Sequence, residues 1–143
     1  MNTDPATALH KLPHGPAFRF VDGITALVPG REAAGFYQIR GDEAFLAGHF
    51  PENPMMPGVI LLEMIAQLGG VVAQTDPGVS ELTDLRLTAV RAAKILGAAA
   101  PGERLEIHAR LEGRMGGLVQ IAGEVTRGDE LLASAKVTLS GTM

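Results

Sequence analysis

The sequence predicts an α+β domain in which one long buried helix is wrapped by a curved antiparallel sheet. Three observations carry this. Residues 59–74 are apolar on nearly every helical face, so the helix they form has to be covered all round. Two short extended segments precede it, and four β-compatible segments follow at 82–92, 104–111, 118–126 and 131–139. A lone helix is covered on every side only by a sheet folded about it, helped by a second subunit.

The elements follow in order. Residues 1–16 hold Pro5, Pro13 and Pro16 without periodicity and read as an arm with at most one helical turn. Residues 18–28 are extended, and Pro29-Gly30 turns the chain into a paired strand at 32–40 containing Phe36, Tyr37 and Ile39. A short helical turn is expected at 42–48, capped by Asp42, with Phe45 and Leu46 buried. Pro57 suits the first position of the long helix, where its missing N–H costs nothing. Asp76-Pro77-Gly78 stops that helix. Ile107/Ala109/Leu111 and Leu131/Ala133/Ala135/Val137/Leu139 alternate with period two, and residues 113–117 and 127–129 fit hairpin connections. The 143 residues read as one domain, 1–143, with 1–16 as its N-terminal arm.

Composition narrows the function. Apolar residues make up 46 % and charged ones 20 %, a globular balance. A formal charge of −4 argues against a general affinity for nucleic acid. The absence of cysteine removes disulfide and thiolate chemistry. His10, His14 and His108 lack metal-ligand spacing, so no metal site is expected. The longest apolar stretch, 59–73, is interrupted by Glu63, Gln67 and two glycines, so no membrane span is expected. Residues 1–13 lack the apolar segment of a signal peptide, and a cytoplasmic location is expected. Arg86, Arg91, Lys94, Arg104, Arg110 and Arg114 concentrate in the second half. They fit equally a set of solvated strand faces and a patch that docks an acidic partner.

The chemistry lies around residues 49–67. Glu63 falls among Val59, Ile60, Leu61, Leu62, Met64, Ile65 and Leu68, and acids are rarely buried without a partner. A carboxyl kept protonated by burial is what a general acid requires, although a structural glutamate bonded to backbone or to a neighbouring subunit fits too. Gln67, at i+4, shares its face and can orient the carboxyl or satisfy a subunit seam. His49 precedes Pro51, Pro54 and Pro57, which fix the loop that leads into the helix. A neutral imidazole so positioned is a suitable base near pH 7. Gly58 offers an unpaired helix N-terminal N–H that a ligand oxygen can approach closely, or it simply eases the backbone beside Pro57.

These residues resemble a known family. His49-Phe50-Pro51, Pro54, Pro57-Gly58-Val59, Glu63 and Ala66-Gln67 match the pattern of the (3R)-3-hydroxyacyl-acyl-carrier-protein dehydratases of the FabZ type. Leu12-Pro13-His14, Phe20-Val21-Asp22, Ala93-Lys94 and Pro101-Gly102-Glu103 extend the likeness over roughly residues 11–140. The resemblance implies a hot-dog fold and a homodimer, often built into a trimer of dimers, in which His49 of one subunit meets Glu63 of the other. It implies that His49 takes the C2 proton of the substrate, Glu63 protonates the leaving hydroxyl, and the Gly58 N–H holds the thioester oxygen. It implies no metal or organic cofactor, the acyl chain arriving on the phosphopantetheine of an acyl carrier protein. Arg91 and Lys94 are then candidates for docking that acidic carrier.

The related FabA type carries Asp at the carboxylate position, so Glu63 favours dehydration without isomerisation. Two departures bear on chain length and pathway. Gly15-Pro16-Ala17 stand where members carry Arg and an aromatic segment, and Ile95 with Ala98-Ala99-Ala100 replaces a Phe and a Pro-Val-Val stretch. A specialised lipid, polyene or polyketide pathway fits alongside primary fatty-acid synthesis. The alternatives in function are a hot-dog thioesterase and a carrier-binding subunit without catalysis.

Overall fold

A computed structural model describes residues 4–47 and 54–143. Helix α1 (Pro5–Ala8) runs on into a 3-10 turn at Leu9–Lys11, and a second 3-10 turn lies at Pro16–Phe18. Strands β1 (Gly23–Val28) and β2 (Glu32–Gln38), helix α2 (Ala44–Ala47) and helix α3 (Gly58–Gln74) follow. Strands β3 (Thr83–Ile95), β4 (Arg104–Met115), β5 (Leu118–Arg127) and β6 (Glu130–Thr142) complete the chain. The six strands form one sheet in the order β1-β2-β4-β5-β6-β3, with every neighbour antiparallel. After α3 the chain reaches the far edge at β3 and then returns to pair β4 with β2, leaving α3 packed in the hollow of the sheet. This is the expected α+β hot-dog arrangement.

Alternation builds the core. Leu105, Ile107 and Ala109 of β4, Val119, Ile121 and Val125 of β5, and Val137 and Leu139 of β6 are buried. They share one cluster with Met64, Ile65, Leu68, Val71 and Val72 of α3. Burying each such aliphatic side chain contributes about 1.5–3 kcal/mol, so the helix–sheet interface dominates stability. Two glycines set how closely helix and sheet approach. A Cβ at Gly69 would lie 2.7 Å from the Ile121 side chain, and one at Gly123 would lie 2.6 Å from that of Ile65. A larger residue at Gly69 presses on Ile121, and one at Gly123 presses on Ile65 and also on the His108 carbonyl of β4 at 2.5 Å.

Several local expectations need correction. The N-terminal arm carries more helix than one turn and is packed down, with Ala8 and Leu12 buried. Asp42 makes no capping hydrogen bond among the described residues; the Glu43 carboxylate beside it folds back on the chain before α2, accepting the N–H groups of Gly41 at 2.7 Å and Arg40 at 3.1 Å. It also accepts the Tyr37 hydroxyl at 2.8 Å. Leu46 is buried as expected, whereas Phe45 is only partly covered. Pro57 stands at the N-cap, one residue before the helix, because its ψ of 132° is extended. Strands β3, β4 and β6 run past the ends the alternation predicts. In the β4–β5 hairpin, pairing continues up to the tight turn at Gly116-Gly117, where Gly116 has a φ of 59°.

Strand β3 is the least covered part of the sheet. It lies at an edge, is exposed along most of its length, and leaves Val90, Ile95 and the following Leu96 in contact with solvent. An unpaired edge with apolar side chains is a surface ready for another strand.

Candidate active site

Glu63 lies in the second turn of α3, and it is neither alone nor sealed in apolar surroundings as the sequence suggested. Its side chain is 20 % exposed, and two polar groups face the same carboxylate oxygen. Gln67 Nε2 donates to Glu63 Oε2 at 3.0 Å, and His14 Nε2 stands 3.5 Å from that atom. The first turn of the helix is also more open than the hydropathy predicted, since Val59 is exposed. α3 is thus covered from Leu61 onward, and one gap in the cover coincides with the carboxylate.

Gln67 is buried and saturated with partners. Its Nε2 also donates to the Phe18 carbonyl at 2.8 Å, while its Oε1 accepts the Phe20 N–H at 2.8 Å. One glutamine therefore fastens the chain entering β1 to the helix face that carries Glu63. Aromatic packing supports the same segment: His14 stacks on Phe18 with ring centroids 5.9 Å apart, and Phe18 meets Phe20 edge-on at 4.8 Å. His14 is the residue of this cluster that sequence reasoning missed. Leu12-Pro13-His14 stood out only as a flanking signature, and no local spacing connects it to Glu63.

His49 lies in 48–53, outside the described residues, and so does Pro51. The second half of its loop is held firmly. Met56 is buried and its N–H donates to the Ala99 carbonyl at 2.7 Å. Arg127 Nη1 binds the Ala98 carbonyl at 2.8 Å, and the Ala100 N–H donates to Glu103 Oε1 at 2.6 Å. The alanine run that departs from the family pattern thus anchors the segment leading into α3. Gly58 begins α3, and a Cβ there would lie 2.8 Å from Ile95 Cδ1. Packing under Ile95 accounts for part of its need to be glycine.

A cavity of about 260 Å³ opens against His14 and Gln67, the two polar neighbours of the carboxylate. Its walls include Leu12, His14, Gln67, Gly70, Gln74 and Leu139. Gln67, Gly70 and Gln74 follow one another at helical spacing along one face of α3, so the cavity runs lengthwise along the helix from Gln67. Part of its polar wall is paired: Gln74 exchanges two hydrogen bonds with the Leu82 backbone, and Lys11 is paired with Glu81, while Asp84 and Arg86 also line it. The lining left for a ligand mixes apolar Leu12, Leu85 and Leu139 with charged Asp84 and Arg86. Gly69 is explained by Ile121, but at Gly70 a Cβ would meet only Leu85 at 3.8 Å and Leu139 at 4.0 Å. The missing side chain there keeps the cavity open.

The basic residues divide into two sets. Arg104 pairs with Glu106 and Arg110 with Glu124, as solvated strand faces usually do, and the largely buried Arg114 pairs with Asp76. Arg86, Arg91 and Lys94 are exposed along β3 and have no ion-pair partner among the described residues. Among the described residues, no group of three His, Cys, Asp or Glu side chains could hold a metal ion. None of the described helices is long and apolar enough to cross a membrane.

Known proteins bear on this geometry. A 3-hydroxyacyl-(acyl-carrier-protein) dehydratase FabZ of Anaeromyxobacter sp. is 34 % identical over 127 residues, covering 87 % of this chain and 80 % of that protein. Another, of Nitratidesulfovibrio vulgaris, is 39 % identical over 118 residues, covering 76 % of each. Among solved structures, the dehydratase heterocomplex ApeI:P from Xenorhabdus doucetiae superposes with a TM-score of 0.80 at 17 % identity, covering 99 % of this chain and 93 % of that one. Zebra fish thioesterase superfamily member 2 superposes with 0.67 at 11 % identity, covering 92 % and 91 %. At such identities the two structures share the fold alone. The family model of the FabA-like domain matches residues 12–136, spanning the His14 arm, the α3 carboxylate and the sheet around them; this chain belongs to the FabA-like family.

Proposed function

We propose that this protein is a hydro-lyase that dehydrates (3R)-3-hydroxyacyl thioesters carried by an acyl carrier protein to trans-2-enoyl thioesters. The observation that carries the reading is the match, over most of the chain, to relatives named as 3-hydroxyacyl-(acyl-carrier-protein) dehydratases. His49 removes a proton from C2 of the substrate. Glu63 of the partner subunit protonates the 3-hydroxyl as the C3–O bond breaks, and water leaves. The Gly58 N–H, at the positive end of α3, holds the thioester oxygen while charge develops there. The acyl tail lies along the cavity beside Gln67 and Gly70. No metal or organic cofactor takes part.

The working unit in this reading is a homodimer, with a trimer of dimers as the larger assembly. Support comes from the exposed edge of β3 and from the apolar Val90, Ile95 and Leu96 along it. Arg91 and Lys94, free of ion pairs among the described residues, receive the acidic carrier protein, and the site of action is the cytoplasm.

The deciding experiment is hydration of trans-2-enoyl thioesters of graded chain length, followed by loss of their ultraviolet absorbance. Wild-type protein should hydrate at least one, and His49→Ala and Glu63→Gln should each lower the rate by about a hundredfold or more. Release of free thiol with no change in the enoyl absorbance would instead identify a thioesterase. No turnover of any thioester would leave a non-catalytic carrier-binding subunit.

A further inference from the structure

We infer that His14 is a positioning residue for Glu63, acting from the same chain as a second N–H donor to its carboxylate. The inference rests on the proposed role of Glu63 as the acid and adds a member to that site. Four observations converge on it. His14 Nε2 faces Glu63 Oε2 at 3.5 Å, beside the Gln67 donor at 3.0 Å. The ring is held by stacking on Phe18, and the His14 carbonyl accepts Arg19 Nη2 at 3.2 Å. His14 Nδ1 is buried with no hydrogen-bond partner among the described residues. His14 also lines, with Gln67, the cavity that runs along α3.

A histidine retained for packing alone would be expected to satisfy both ring nitrogens, since buried polar atoms rarely go unpaired. Here one nitrogen lies buried without a partner among the described residues, and the other stands 3.5 Å from a carboxylate oxygen. The tautomer that fits carries its hydrogen on Nε2, because a hydrogen on Nδ1 would be a buried donor with no acceptor among the described residues. That choice puts the hydrogen on the nitrogen that stands 3.5 Å from Glu63 Oε2. The separation is longer than a formed hydrogen bond, and catalytic contacts of this kind commonly tighten when substrate is bound.

The consequence is specific to the proton-transfer step. As Glu63 passes its proton to the leaving hydroxyl, the C3–O bond breaks, water departs and a carboxylate remains on the helix. Gln67 and His14 then both donate to the oxygen on which that charge forms. His14 neither gains nor loses a proton. Its contribution grows with the charge, so it acts on turnover more than on substrate binding.

The test compares His14→Gln, His14→Asn and His14→Ala with Glu63→Gln in the hydration assay, with the thermal melt and dimer mass of each variant recorded. Glutamine can place an N–H near the Nε2 position, whereas asparagine falls short of it. The expected result is a loss in kcat of about ten- to a hundredfold for Ala and Asn, with KM within about threefold and activity largely restored in Gln. Wild-type kcat in His14→Ala, or Gln no better than Asn, overturns the inference. If the alanine variant fails to fold, the Gln–Asn comparison decides alone. Full activity in Glu63→Gln, or no turnover by wild-type protein, sinks the underlying reading and this inference with it. An inactive Glu63→Gln beside a neutral His14 series sinks this inference only.

Discussion

Gln67 reaches back one helical turn to donate its side-chain amide to Glu63 Oε2 over 3.0 Å. The orientation of that amide is not free. Its Nε2 also serves the Phe18 carbonyl and its Oε1 takes the Phe20 N–H, so a flipped amide would set like groups against each other at all three contacts. The backbone entering β1 therefore fixes the donor that fixes the carboxylate, and fold and site share one side chain.

Replacing that side chain should consequently affect both. Gln67→Leu leaves the Phe18 carbonyl and the Phe20 N–H without partners, at about 1–3 kcal/mol for each group left buried. We expect stability to fall by about 2 kcal/mol or more, together with kcat. Chemical denaturation at matched protein concentration measures the first, and an unchanged midpoint would reject the clamp.

Gly70 should govern chain length. A Cβ there meets nothing closer than 3.8 Å, and a longer side chain extends into the cavity. Gly70→Leu should lower kcat/KM for long enoyl thioesters by about tenfold or more relative to short ones. Removing a glycine from a helix interior favours the fold by up to about 1 kcal/mol, so the melting temperature should hold or rise. An unaltered chain-length profile would place the acyl tail elsewhere.

Glu43 should make stability depend on pH. Burial pushes its carboxyl up, but the N–H groups of Gly41 and Arg40 and the Tyr37 hydroxyl outweigh burial and hold it below the usual range. A carboxyl lowered in the folded state stabilises the protein above its unfolded value of about 4.3, and that contribution is lost as pH falls through the lower folded value. Glu43→Gln should therefore melt below wild type at neutral pH, with the gap closing in acid below about pH 4. Melting curves at pH 7 and in acid test this; a gap that persists in acid would show that charge is not the cause.

Arg91 and Lys94 should matter for carrier-borne substrate alone. Reversing both charges, Arg91→Glu with Lys94→Glu, should raise KM for acyl-carrier-protein thioesters by about tenfold at low salt and weaken the salt dependence. Turnover of the same acyl group on free pantetheine should stay unchanged. Equal losses on both substrates would mean that the change damaged β3 itself.

The order of elements and the identity of α3 were legible in the sequence because they follow from periodicity, which is local. The all-round apolar segment located α3, and the alternation of 107–111 and 131–139 located the inner face of the sheet. Strand ends were less legible, since pairing rather than hydropathy carries β4 to the Gly116-Gly117 turn. The N-cap misled in two places. Asp42 had the right residue type for a cap, but what orders this turn is the Glu43 carboxylate folding back onto the Gly41 and Arg40 N–H groups upstream of α2.

The sequence by itself determined that a carboxylate would stand on the long helix with Gln67 one turn further along, because helical spacing places i and i+4 together. Only the tertiary structure decided that Glu63 has company from His14, that Gly69 and Gly70 have different reasons to be glycine, and which arginines are already paired. Those relationships join residues far apart in the chain, across strand pairing and helix–sheet packing. A one-dimensional pattern carries periodicity faithfully, but distance between remote segments is set by the closing of the sheet around α3.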